Sequence, residues 1–283
     1  MKSTIKLFGI IALAAVMVFT ACGGGDSDGG SIINGGNGDG DPDLTPKITM
    51  TTTVSGSTCI YLLGTGKAVI DWGDGTVEEV TLTSSDDVND LWNYDFNHSY
   101  ASSAVKTITV TGNVTGFSGD GDGAASALNV SGFPGLKFLS CQDEALTSLD
   151  LSKNTALEFL NCNGNELTSL DLSKNTALEF LYCAENELTS LDLSKNTALK
   201  ILNCSWNDLT TLNITGCTKL ENVGCNKNQL AAAALVAILD ALPDRTGLSQ
   251  GLTYVYDNIG VNGTGYAAAK TAAVAKNWDV NDI

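Results

Sequence analysis

The sequence is poor in imidazole and in positive charge. Among 283 residues there is one histidine, and 15 basic side chains face 32 acidic ones, for a formal net charge of −17. A single imidazole removes most metal sites and acid–base designs that depend on histidine. Every segment after the first 21 residues is net acidic. The electrostatic footprint of a phosphate-backbone partner is therefore missing, and nucleic acid is excluded as an expected ligand. The eight cysteines never fall at the C-x₂₋₄-C spacing of a zinc centre. No metal and no cofactor is expected. Dividing the length by ~150 residues per domain suggests about two domains.

The first residues read as an address. Lys2 and Lys6 precede the uncharged apolar run Leu7–Thr20, which is shorter than the ~20 residues of a spanning helix. Phe19-Thr20-Ala21-Cys22 closes that run and resembles the lipobox of bacterial lipoproteins, from which Phe19 departs by not being aliphatic. The resemblance implies cleavage after residue 21 and lipid on Cys22. The alternative is ordinary signal cleavage near Ala21 with Cys22 incidental. Residues 22–46 are dominated by Gly, Asp, Ser and Asn and cannot bury enough apolar area to fold, so they predict a flexible tether. Their Asp-Gly repeats lack the closing glutamate of a regular calcium loop. Asp26 and Asp28 resemble the acidic stretch that directs some Gram-negative lipoproteins outward. The expected location is the bacterial outer membrane or cell surface, anchored to the membrane through lipid on Cys22.

Residues 47–117 alternate apolar and polar side chains in segments rich in Thr, Val and Ile. The pattern predicts strands at 47–54, 58–63, 68–72, 76–82 and 105–114. Asp71-Trp72-Gly73-Asp74-Gly75-Thr76, His98-Ser99-Tyr100 and Lys106–Val110 resemble a PKD-type, immunoglobulin-like β-sandwich. The resemblance implies a spacer that presents its neighbour. Asp71, Asp74 and His98 invite an acid–base reading, yet no serine or cysteine nucleophile motif accompanies them. Turn formation by Gly and Asp, with His98 packed at a strand start, is the stronger expectation.

Residues 118–230 carry the loudest signal. Leu136–Ala156, Leu157–Ala177, Leu178–Ala198 and Leu199–Lys219 are successive units, with a truncated fifth from Leu220 and an earlier half-unit at Leu128–Ser131. A fixed 21-residue period with L-x-x-L-x-(L/C)-x-x-N-x-L is a leucine-rich-repeat signature. Stacked coils bury the leucines that one coil cannot. Cys141, Cys162, Cys183, Cys204 and Cys225 recur at an inward strand position as small hydrophobes. They are not expected to pair, because parallel side chains in register rarely meet disulfide geometry. Asn165, Asn186, Asn207 and Asn228 form a ladder at the bend, replaced by Glu144 in the first coil. This cysteine-ladder variant resembles the internalin-type repeats of bacterial surface proteins, and for function the resemblance implies binding only.

Outward positions flank the inward leucines and cysteines, on the strands expected to line a concave face. The candidate ligand-binding set is Phe138, Phe159, Asn161, Phe180, Tyr182, Ile201, Asn203 and Trp206. An aromatic stripe beside amides suits a sugar ring or a protein loop. The alternative is that the phenylalanines lie under the N-terminal flank or complete the core. On the opposite side, the columns Asp150/Asp171/Asp192 and Lys153/Lys174/Lys195 predict a solvated face, with calcium on the aspartates as the other option.

In residues 231–283, an alanine-rich helix at 231–242, a strand at 252–256 and a helix at 266–276 predict an αβ cap for the last coil. Leu242-Pro243 with Lys276–Val280 resembles the tails that close repeat arrays in similar lipoproteins. The expected fold is thus mainly β with an α/β cap: a PKD-like β-sandwich followed by a leucine-rich-repeat solenoid. The expected function is non-catalytic recognition of a protein or glycan by a lipid-anchored monomer. A structural or assembly role in the envelope is the alternative. A third option is glycan cleavage by Glu158 and Glu179, but repeats supply like residues at equivalent positions by periodicity alone.

Overall fold

The computed structural model describes residues 47–83, 95–119, 121 and 124–282. The expected leader (1–21), Cys22 and the tether (22–46) lie outside the described residues. In chain order the elements begin with β1 (Lys47–Thr52), β2 (Gly56–Asp71), β3 (Val77–Thr83), β4 (Asp95–Tyr100), β5 (Lys106–Gly119) and β6 (Ala125–Asn129). The coils then contribute β7 (Phe138–Ser140), β8 (Phe159–Asn161), β9 (Phe180–Tyr182), β10 (Ser190–Asp192), β11 (Ile201–Asn203), β12 (Thr211–Asn213) and β13 (Asn222–Gly224). The chain ends with α1 (Ala232–Ala241), β14 (Gly251–Tyr254), α2 (Tyr266–Ala275) and β15 (Trp278–Asn281).

The first strands are antiparallel. β5 pairs with β1 and β2, β2 also pairs with β3 and β4, and β6 pairs with the other edge of β1. Two segments expected as separate strands, 58–63 and 68–72, are one long β2 whose register shifts around Gly64. The glycines make a bulge rather than a turn. Gly64 has φ +154°, and a Cβ there would lie 2.1 Å from the Asn113 carbonyl oxygen. The boundary expected at residue 117 falls inside β5. Its last residues pair in parallel with the first coil, Gly116 opposite Phe138 and Ser118 opposite Ser140. One sheet therefore runs from the antiparallel strands into the solenoid, and one buried hydrophobic cluster extends from Ile48 to Val280.

The solenoid follows from the period. β7, β8, β9, β11 and β13 stack in parallel with a shift of one repeat per strand. The leucine and cysteine columns are buried throughout. Each ladder asparagine sews two coils together. Asn186 Nδ2 donates to the carbonyls of Cys162 (2.9 Å) and Cys183 (3.4 Å), while its Oδ1 accepts from Leu167 N at 3.0 Å. Glu144 performs the acceptor half in the first coil, taking Ala125 N at 2.9 Å. A second ladder, which the sequence reading did not assign, runs on the other side of each coil. Asn154, Asn175 and Asn196 are fully buried and donate to carbonyls of the preceding coil, as Asn175 does to Leu151 (3.1 Å) and Asn154 (2.8 Å). The half-unit at 128–131 keeps the same turn as later coils: Ser131 N donates to Asn129 Oδ1 and Ser152 N to Asp150 Oδ1, each at 2.9 Å.

The C-terminal segment continues the solenoid. β14 pairs in parallel with β13, and β15 with β14. In these last turns helices α1 and α2 occupy the return path, packed against each other. Asn258 carries the first ladder one step further, accepting from Leu230 N at 3.2 Å and donating to the Cys225 carbonyl at 2.9 Å. The fold is mainly β, with two helices among the described residues, neither of them long and apolar enough to cross a membrane.

Candidate functional site

Register places the outward side chains of the sheet in continuous rows. One row runs Leu63, Gly116, Phe138, Phe159, Phe180, Ile201, Asn222 and Leu252; the next runs Tyr61, Ser118, Ser140, Asn161, Tyr182, Asn203, Gly224 and Tyr254. The candidate residues 138, 159, 161, 180, 182, 201 and 203 thus lie together on one face. Trp206 stands at its margin, in the bend.

The rows are not uniformly open. Gly116 has no side chain, and a Cβ there would meet Leu63 at 2.9 Å. Leu63 fills that space and forms a small cluster with Phe138 and Phe159, around which Tyr61, Phe180 and Tyr182 pack. The Phe159 ring lies 6.4 Å from Phe138, 6.3 Å from Phe180 and 5.7 Å from Tyr182. Phe138 and Phe159 are consequently 7% and 9% exposed. Asn161 is buried as well and donates to Gln142, so these two amides satisfy each other. Covering by the N-terminal flank is therefore the outcome for Phe138 and Phe159, and Asn161 is occupied by its neighbours in the coils, which leaves little of the three for a ligand to touch. Phe180, Tyr182, Ile201 and Asn203 are half-exposed.

The period continues the rows to Asn222, Gly224 and Asn226, which are low-lying and mostly buried, and the turn at β14 adds the half-exposed Leu252, Tyr254 and Tyr256. These were not singled out from sequence. Asn222 and Gly224 follow Ile201 and Asn203 by one repeat and were legible; Tyr254 falls outside the 21-residue spacing and was not. Ser205 braces the floor: its N–H donates to Asn203 Oδ1 at 3.2 Å and its hydroxyl to Asn226 Oδ1 at 2.7 Å. Asn222 is 7% exposed and makes no side-chain hydrogen bond among the described residues.

The bend beside this face repeats an uncommon backbone state. Asp143, Gly164, Glu185, Trp206, Lys227 and Asp257 all have positive φ, between 54° and 66°. Five of these six are not glycine, and a tryptophan in this region is a conformational outlier. Trp206 is 44% exposed, with the Lys227 ammonium 3.7 Å from its ring centroid. Lys227 also reaches Asp257 at 3.7 Å, and on the opposite margin Lys200 pairs with Glu179 at 2.6 Å. One of the two carboxylates considered for glycan cleavage is thereby engaged as an ion-pair partner.

The other titratable groups are structural in their geometry. His98 Nε2 meets Asp74 Oδ2 at 2.7 Å, its ring stacks on Trp72 at 5.0 Å, and Tyr100 donates to the Trp72 carbonyl at 2.7 Å. Asp71 and Asp74 accept from Gly73 N and Thr76 N at 2.9 and 3.0 Å. Partial burial works against the Asp74 carboxylate, but its hydrogen bonds to His98 and Thr76 prevail and hold it below the usual range. Burial pushes the ladder thiols up, Cys162 and Cys225 to about 12, and all seven described cysteines are free. Such thiols are poor nucleophiles and poor ligands. Among the described residues no three His, Cys, Asp or Glu side chains are grouped as a metal ion requires.

No protein-family model matches the sequence, and no curated protein matches it. Solved structures do. The functional domain of InlJ from Listeria monocytogenes, which includes a cysteine ladder, is 28% identical over 47% of this chain and 32% of that one, with a TM-score of 0.38. The leucine-rich repeat domain of APL1B is 22% identical over 44% of this chain and 43% of that one, with a TM-score of 0.35. An internalin, InlF from Listeria monocytogenes, is 19% identical over 60% of this chain and 56% of that one, with a TM-score of 0.38. The chain spans between about a third and somewhat over half the length of these structures.

Proposed function

We propose that this chain is a non-catalytic recognition protein, and that the half of the strand face between β9 and β14 holds its ligand. The observation that carries the reading is the contrast within one sheet. Where the face is used internally its aromatic and amide groups are covered and paired, and beyond β9 equivalent positions are left half-exposed or unpartnered. Side chains that neither fill the core nor pair with neighbours are available to a partner. Engagement of Glu179 by Lys200, and of Asp74 and His98 by the turn, supports a non-catalytic role.

The proposal includes lipid on Cys22 and display at the outer membrane or cell surface, supported by the apolar run and Cys22. It takes 47–117 as a PKD-like spacer, supported by the Asp71–Thr76 turn and the Tyr100–Trp72 bond. Protease shaving of intact cells, with a periplasmic protein as leakage control, tests the placement. Rapid loss of the region after residue 46 is expected. Protection until lysis would transfer the protein to the envelope interior and favour an assembly role. Palmitate labelling that persists in a Cys22→Ala variant would remove the anchor.

A further inference from the structure

The open face has a chemistry of its own. Segments 180–184, 201–205, 222–226 and 252–256 contain no charged residue, in a chain of net charge −17. Charges stand at the margins: Glu179 pairs with Lys200, Lys227 with Asp257 and Glu221 with Arg245, while the exposed Asp279 on β15 ends the row beyond Leu252. A charged ligand finds no counter-charge on this floor, and an anionic one is repelled by the molecule as a whole.

The floor offers hydrogen bonds instead. Ser205 holds Asn203 and Asn226 by their amide oxygens, which leaves both amide NH₂ groups without a protein partner among the described residues. Asn222, 7% exposed as a residue, gives its amide no protein partner among the described residues. That amide keeps access to water, and a ligand that covers it must replace the hydrogen bonds it makes there.

Aromatic rings bound the floor. Tyr182 and Tyr254 lie in the same outward row, separated by Asn203 and Gly224. Three strand steps of ~4.8 Å set them ~14 Å apart. Gly224 has no side chain between them, and Asn203 Oδ1 and Ser205 Oγ close over it, 3.1 and 3.2 Å from where a Cβ would stand. The ligand that matches is neutral, has faces that stack on phenol rings, and carries groups that both donate to and accept from amides. Pyranose rings have all three properties. A protein loop would seat on the apolar row alone, Phe180, Ile201 and Leu252, and would leave the tyrosine and amide row beside it unused.

Building on the recognition reading, we infer that the face between β9 and β14 is a binding site for a neutral glycan. Its sugar rings stack on Tyr182 and Tyr254, and its hydroxyls are held by Asn203, Asn222 and Asn226.

The test uses the full-length protein in detergent. It is screened against neutral tri- to hexasaccharides built on glucose, mannose, galactose and N-acetylglucosamine, with sulfated and sialylated counterparts as controls. Binding to at least one neutral series and not to its charged counterpart is expected, followed by titration calorimetry on that sugar. Tyr182→Ala, Tyr254→Ala and Asn222→Ala should each weaken it by about tenfold or more. Asn161→Ala, in the covered half, should leave it unchanged. Tyr182→Phe and Tyr254→Phe keep the ring and should retain most of the affinity, which separates lost stacking from misfolding. Absence of binding to every neutral sugar overturns the inference. So does equal binding of charged sugars, or undiminished binding by alanine variants that melt like the parent. If sugars fail while a cross-linked protein ligand loses affinity in these same variants, the glycan assignment falls and recognition through this face stands. If that ligand is also indifferent to them, both fall.

Discussion

The two halves of the strand face are built from the same rows and are used differently. Next to β5, the outward positions face Leu63 and Tyr61 of a distant strand, and the phenylalanines of β7 and β8 close over as a second, small core. From β9 onward no strand among the described residues leans across, and equivalent positions carry Asn203, Asn222, Gly224 and Tyr254. A repeat therefore dictates the backbone and the inward columns of a solenoid, while its outward columns stay free. The first coils use that freedom to join the flanking strands, and the later coils leave it to solvent and a ligand.

The sharpest way to break this comparison is to truncate the same column on each side of the divide. Phe159→Ala removes a ring that is 9% exposed and should cost about 3–5 kcal/mol in chemical denaturation, whereas half-exposed Phe180→Ala should cost about half as much. Equal losses would mean that the face is closed or open as a whole. A smaller effect concerns the ladder that both halves share. Asn186→Ala and Asn258→Ala each leave backbone groups unpaired between coils and should destabilise by about 1–3 kcal/mol. If Asn258→Ala were silent, the last turns would be a separate cap rather than a continuation of the coil.

Trp206→Gly should change stability by less than about 1 kcal/mol, since relief of a positive φ offsets the lost contact with Lys227. A larger loss in thermal unfolding would show that Trp206 is part of the fold and not a residue reserved for contact. The smallest effect is expected on the far side of the coils. The backbone N–H groups of Ser152, Ser173 and Ser194 donate to Asp150, Asp171 and Asp192 and hold these exposed carboxylates below their usual range. A carboxylate lowered in the folded state stabilises it above the unfolded pKa, about 3.9, and that contribution fades as pH falls toward the folded value. Replacing all three by asparagine keeps the turn bond, as Asn129 and Asn213 already do at the ends of the column. The triple variant should show a flatter dependence of melting temperature on pH between about 5 and 3. An unchanged slope would assign the acid sensitivity to other groups.

Much of the solenoid was legible because periodicity is a strong constraint. Leu157, Cys162, Asn165 and their equivalents recur every 21 residues, and equal spacing in a stacked coil means equal surroundings. Asn154, Asn175 and Asn196 obeyed the same period, yet their role stayed unread because a buried asparagine and a turn asparagine look alike in sequence. Strands 58–63 and 68–72 were read as separate because glycine, here Gly64 and Gly66, marks turns and bulges alike. Asn258 and Tyr254 continue the ladder and the outward row across a helical insertion that destroys the spacing.

The sequence by itself determined the coil: which residues face inward, where each bend falls, and that neighbouring turns stack. These follow from local spacing and the need of every coil to bury its leucines against the next. Only the tertiary structure decided which outward residues stay open. Exposure at Phe138 or Phe180 depends on what leans over the sheet from elsewhere in the chain. Here that was settled by Leu63 reaching across Gly116, a contact between residues far apart in sequence that no repeat pattern encodes.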